Sequence, residues 1–339
     1  MTWLAWRQFR TQAIAGAACL VLLLGAVLLT WQQVSDLATS TGYTGCSGDA
    51  CLAAAENFAD RFQLGLSHHV YLATIGALYL MPALIGVFWG APVVARELET
   101  GTYRMVFSQS VGRGRWLLIK LAIGGLTAAL GAGLFSLLLT RWAQRIDSAS
   151  GDRITPLIFA GRGIVPIGYA ALAFVVGVTV GMVLRRTVVA MAVTLLVVAG
   201  LQVAAPMVVR PWLAQPITVV KPLDVSKLEG IGMDVDSLQM HLRAEADQPG
   251  AWIVANEVVT STGALFVGPA DAETCLPRPG GTGPERCQEW LSTQNLSQKL
   301  MYVPGSKFWT LQWREFGLLV VLTLVLTLFS LWWIRRRLV

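Results

Sequence analysis

Six runs of this chain, at 13–30, 70–95, 116–140, 164–184, 187–209 and 316–334, are each eighteen or more residues long and, apart from Lys120, contain no Asp, Glu, Lys or Arg. A helix rises 1.5 Å per residue, so about 20 apolar residues cross a hydrocarbon layer of roughly 30 Å. Runs of this length and purity leave few soluble folds open. With 55% hydrophobic and 14% charged residues, the chain has too little polar surface to face water on all sides. Lys120 sits near one end of its run and is expected to snorkel toward the headgroups.

The basic residues then orient the spans. With the amino terminus inside, the inner connections hold Arg7, Arg10, Arg96, Arg104, Arg113, Arg115, Lys120, Arg185, Arg186, Arg335, Arg336 and Arg337, against only Glu97 and Glu99. The remaining 14 basic and 18 acidic residues fall outside, the bias that the positive-inside rule requires. One connection fits poorly, because Arg141, Arg145, Arg153 and Arg162 all fall outside between the third and fourth spans. The fold expected is an all-α polytopic membrane protein with six transmembrane helices, both termini inside, and an enlarged extracellular segment between spans five and six.

A net charge of +6 is accounted for by short inner connections beside an anionic membrane, so no nucleic-acid partner is expected. Arg7 and Arg10 before an apolar run also fit a signal peptide, but the run is long for one and no clear A-x-A site follows. Residues 1–12 alternate Trp3, Leu4, Trp6 and Phe9 with Arg7, Gln8, Arg10 and Gln12. That pattern suits an interfacial helix or an aromatic anchor.

The outside segments are a loop at 31–69 and a domain-sized stretch at 210–315. The latter is rich in proline, with a helix expected over 225–245 and a strand-like run over 252–267. Four of the five cysteines lie in these segments: Cys46 and Cys51 in the first, Cys275 and Cys287 in the second. An oxidising exterior permits disulfides, and local pairing is the simplest of three connectivities. No CxxC pair is present, and His68 and His69 lack an obvious carboxylate partner, so no metal site is expected.

The pattern of polar residues also excludes activities. Ion-coupled transport uses ionisable groups inside the membrane, and these runs offer Thr, Ser, Tyr, Trp and Gln202 instead. Neither HExxH nor GxSxG occurs in or beside the runs, and no GxxxxGK[ST] occurs in the chain. No catalytic residue is therefore assigned, and energy for moving cargo has to come from a partner. Gly86-x-x-x-Gly90 and Gly177-x-x-x-Gly181 allow close helix approach, within one subunit or between two. Pro82 and Pro92 are expected to bend the second span.

The largest inner connection carries Glu97-x-Glu99-x-Gly101-Thr102, then Ser108-Gln109-Ser110-Val111, then Arg113, Trp116 and Lys120. This pattern resembles the membrane subunits of ABC-2 class transporters, in particular actinobacterial-looking members. Those also tend to begin like Trp3-Leu4-Ala5-Trp6-Arg7-Gln8-Phe9-Arg10 and to end like the stretch from Tyr302 to Trp309 before the last span. The resemblance implies a multi-pass permease of a bacterial plasma membrane that exports hydrophobic or amphipathic compounds, whether drug, lipid or peptide. It implies a separately encoded cytoplasmic ABC ATPase dimer as partner, and a second, identical permease subunit in the lipid bilayer. The chain itself needs no cofactor, and ATP and Mg belong to the ATPase.

It further implies that 96–115 is the coupling segment. Arg96, Glu97, Glu99, Arg104, Ser108 and Arg113 are its candidate contacts or braces, Gly101 and Thr102 its bend, and 1–12 an interfacial elbow. The residues alone read Glu97 and Glu99 more simply, as neutralising neighbouring arginines on a solvated face. A non-transporting sensor or assembly subunit with a ligand-binding outer segment is the main alternative, and an enzyme sited within 210–315 a third.

Overall fold

The computed structural model describes residues 2–46, 50–103, 112–150, 153–234, 239–246, 248–269, 275 and 283–337. The chain divides into a helical unit, Met1–Leu213 with Phe308–Val339, and a smaller unit, Ala214–Lys307.

In the helical unit α1 (Thr2–Ser40) and α2 (Ala50–Gln63) are joined by the Cys46–Cys51 disulfide. The stretch 2–12 is helical and continuous with the rest of α1. Next come α3 (Leu66–Leu84), a π-helical turn (Ile85–Gly90) and α4 (Ala91–Glu99), which together make one rod. The π turn follows Pro82, whose missing N–H and bulky ring disturb the normal ladder, and the wider turn re-pairs the backbone. Then come α5 (Arg113–Ser150), the single turn α6 (Pro156–Phe159), α7 (Val165–Leu184) and α8 (Thr187–Ala204). A second π turn (Ala205–Val209), which contains Pro206, leads into α9 (Arg210–Ala214). The closing helix of the chain runs from Phe308 to Arg336.

Six of these rods are long and apolar enough to cross a membrane: Leu20–Ser40, Leu66–Glu99, Arg113–Ala149, Val165–Leu184, Thr187–Ala214 and Gly305–Arg336. The fourth is the axis of the unit, with 72% of its most apolar window buried against 17% for the first and sixth. Side chains such as Leu29, Val188 and Leu196 are left facing outward, where lipid rather than water is the expected neighbour. Glycines set how closely α7 packs. A Cβ on Gly90 would strike Phe174 O and the Gly177 Cα, and one on Gly181 would strike Ala91 O. The two GxxxG pairs therefore face each other inside one chain, and neither needs a second subunit to explain it.

The smaller unit corrects the all-α expectation, because it is built on two three-stranded antiparallel sheets. Its strands are β1 (Ile217–Pro222), β2 (Leu228–Asp234), β3 (Gln239–Ala244), β4 (Trp252–Val259), β5 (Gly268–Pro269) and β6 (Ser297–Val303), with α10 (Gly283–Thr293) between the last two. The sheet orders are β1-β6-β4 and β2-β3-β5. The helix expected over 225–245 is instead the β2–β3 pair. Met240, Leu242 and Ala244 alternate inward with period two, and Gly230 and Gly232 weaken any helix there. The run at 252–267 is a strand only to Val259, after which a turn with Gly263 at φ +83° reverses the chain. Met240, Leu242, Val258, Leu291 and Leu296 form the core around Cys287, which is bonded to Cys275. The helix Phe308–Arg336, which returns the chain to the helical unit, is α11.

Candidate functional site

The segment 96–115, expected to carry the coupling, begins in the last turn of α4. Gly101 takes a left-handed φ of +74°, which stops the helix, while Thr100 Oγ1 bonds back to Arg96 O at 2.9 Å. Thr102 follows, exposed, and its Oγ1 lies 3.1 Å from Thr100 Oγ1. Arg96 points to the exterior of the unit. Arg104 and Ser108 lie outside the described residues. Arg113 opens α5, exposed, one residue before Gly114, whose bare Cα lets the Arg335 guanidinium lie close.

The two glutamates are engaged within the chain. Glu97 Oε1 lies 2.6 Å from Lys120 Nζ, with side-chain exposures of only 14% and 6%, so the second span is tied to the third. Lys120 also donates to Val93 O at 3.0 Å and stands 4.4 Å over the Trp116 ring. It does not snorkel, because its charge is satisfied in place, and that expectation is corrected. Glu99 Oε2 accepts from Thr187 N at 3.0 Å and Thr187 Oγ1 at 2.7 Å. A carboxylate from the second span thus caps the first turn of α8, where the helix dipole and unpaired amides favour negative charge. Beside it, Arg185 at the end of α7 is itself left-handed (φ +55°) and donates to Arg337 O at 3.3 Å. The end of α4 is therefore fastened to both α5 and α8.

Further buried charges escaped the sequence analysis, which placed them outside. Asp147 lies in α5, which continues ten residues beyond the apolar run ending at Thr140. Its Oδ2 accepts from Arg162 Nε at 2.9 Å, and its Oδ1 from Tyr71 OH at 2.9 Å. Arg210 Nε and Nη2 reach Glu315 Oε2 and Oε1 at 2.8 and 3.1 Å, and Tyr169 OH donates to Glu315 Oε1 at 2.9 Å. Side-chain exposure is 3% or less in both pairs. The belief that the spans carry no ionisable partners therefore fails at their ends. Charge clusters at the limits of the apolar runs, including the poorly fitting arginines at 141–162, were the available signal. Gln312, also fully buried, accepts from Ile164 N and Val165 N at 3.0 and 3.1 Å and donates to Phe159 O at 3.2 Å.

The helical unit thus combines six membrane-length rods, a braced turn after the second, and polar pairs that hold span ends together, all properties of a multi-pass membrane protein. No curated protein and no solved structure matches the chain. A family model described as "ABC-2 membrane transporter related" matches residues 17–210, from the first span through the fifth. The protein belongs to the ABC-2 membrane transporter related family and is a permease of the ABC transporter type.

Proposed function

We propose that the chain is the membrane subunit of an ATP-driven exporter of hydrophobic or amphipathic compounds in a bacterial plasma membrane. It works beside a second, identical permease subunit and a cytoplasmic ABC ATPase dimer that supplies ATP hydrolysis. The observation that carries this reading is the double fastening of α4. A force on 96–115 meets a turn tied to α5 through Glu97 and Lys120 and to α8 through Glu99 and Thr187, so three spans move together rather than one loop bending. The inward placement of this segment and outward placement of 214–307 are supported by the charge bias and by the two disulfides, which suit an oxidising exterior.

The test is co-purification with the ATPase followed by cargo-stimulated ATP hydrolysis in proteoliposomes. Thr187→Val together with Glu99→Gln should preserve the complex while lowering cargo stimulation severalfold. A chain that binds no ATPase would sink the exporter reading and leave the sensor or assembly subunit in its place.

A further inference from the structure

Half of residues 153–164, which lead from α5 to α7, are buried. Of residues 153–164, Ile154, Phe159 and Arg162 are at most 1% exposed, while Arg153 and Leu157 face outward. The segment also turns back along α5. Gly163 O accepts from Ser136 Oγ at 2.8 Å, and Gly163 N donates to Thr140 Oγ1 at 3.1 Å. Those partners lie ten or more residues before the end of α5 at Ser150, which at 1.5 Å per residue is at least about 15 Å along the helix. Backbone packed among helices in this way needs its polar groups satisfied by protein or by water.

Here the satisfaction comes from side chains of four different spans. Pro156 O accepts from Tyr79 OH at 2.9 Å and Arg210 Nη1 at 2.7 Å, and Gln312 holds Phe159, Ile164 and Val165 as described. Spans two, three, five and six each supply a fastening, so the segment is seated only while all four stand together. Beneath it, Tyr79, Ala160, Tyr169, Gln202 and Arg210 line a space of about 10 Å³, room for one water and for no cargo. Apolar side chains of similar volume would fasten such a segment at least as well as buried ion pairs do. Polar fastenings add direction, because a hydrogen bond weakens steeply once it is misaligned.

We propose that residues 154–164 form a movable plug that closes one end of the permease and is unseated when the spans separate to release cargo. The Arg210–Glu315 pair and Gln312 act as its latch. The proposal rests on the transport reading, but the latch can be tested on the chain alone.

In the full-length chain with Cys19→Ser, leaving the four disulfide cysteines intact, Ala160→Cys reports on the space beneath the plug and Leu157→Cys on its outer face. Labelling of Ala160→Cys by a soluble maleimide in nanodiscs should be slow. Adding Glu315→Gln or Gln312→Ala should raise it by at least about tenfold, with the Leu157→Cys rate unchanged. Tyr79→Phe, which removes one hydroxyl and no charge, keeps the test valid if the other variants do not fold, and its expected rise is severalfold. Unchanged labelling in folded latch variants would overturn the latch. In the ATPase complex, ATP and cargo should speed labelling at Ala160→Cys. Export with no change there would show a static plug and refute the gate. Absence of any complex would refute the transport reading while leaving the latch result standing.

Discussion

Asp147 and Arg162 offer a direct measure of how the ends of the spans are held. At 2.9 Å and an effective dielectric of about 20, their attraction is on the order of 6 kcal/mol, much of it offset by the loss of hydration for two buried charges. The prediction is therefore asymmetric between removing one partner and removing both. Asp147→Leu strands the Arg162 guanidinium, which keeps Gly161 O at 3.5 Å and the face of the Tyr71 ring at 5.0 Å, and removes the acceptor at 2.9 Å from the Tyr71 hydroxyl. Arg162→Met leaves the carboxylate with Tyr71 still donating. Breaking such a pair costs about 3–5 kcal/mol, with Asp147→Leu expected at the upper end because it removes the hydrogen bond from Tyr71 as well. The double variant should return to within about 1 kcal/mol of the parent, since two apolar side chains fill the same buried volume. Unfolding of the detergent-solubilised chain, followed by intrinsic tryptophan fluorescence, gives the four corners of the cycle. Because the two single costs sum to about 6–10 kcal/mol and the double variant costs at most about 1, a coupling of at least about 5 kcal/mol is expected. A coupling below about 1 kcal/mol, or a double variant worse than either single one, would refute the argument that these charges are held by each other.

Other perturbations follow the same geometry. Glu99→Ala should lower stability in the same unfolding assay, since it removes the cap from the first turn of α8, and Thr187→Ala should lower it by less because the amide keeps its acceptor. Gly177→Leu should abolish recovery of folded protein on size-exclusion chromatography, since its side chain would meet the backbone at Gly90 and Ala91. Gly200→Ala, with nothing within 4 Å, should be tolerated. Alkylation without reduction should add one label by intact mass, at Cys19, and five after reduction. More than one label beforehand would dispute the pairs Cys46–Cys51 and Cys275–Cys287.

The six spans were legible because hydropathy and length are local properties of the chain. Their ends were not. A hydropathy run stops at the first charge, whereas Asp147, Arg210 and Glu315 are paired across elements and so do not end the helices that carry them. The same reasoning misjudged Lys120, whose partner Glu97 lies on another rod. The paired glycines identified close contact without saying with what, and only the packing of α7 shows that the two motifs meet each other. In the smaller unit, 225–245 has polar and apolar residues that fit either period. Strand pairing with β5 and the inward alternation of Met240, Leu242 and Ala244 decide it. The pairing of Glu99 with Thr187 joins residues 88 apart and leaves no trace in local pattern.

That pairing bears on how the chain is made. The first amide of α8 finds its acceptor on a side chain from the second span, so for a chain inserted from its amino terminus the acceptor is waiting before the donor emerges from the ribosome. A nascent chain stopped after the fourth span would display the Glu99 carboxylate unclaimed, and the fifth span would find its docking point already built as it entered the membrane.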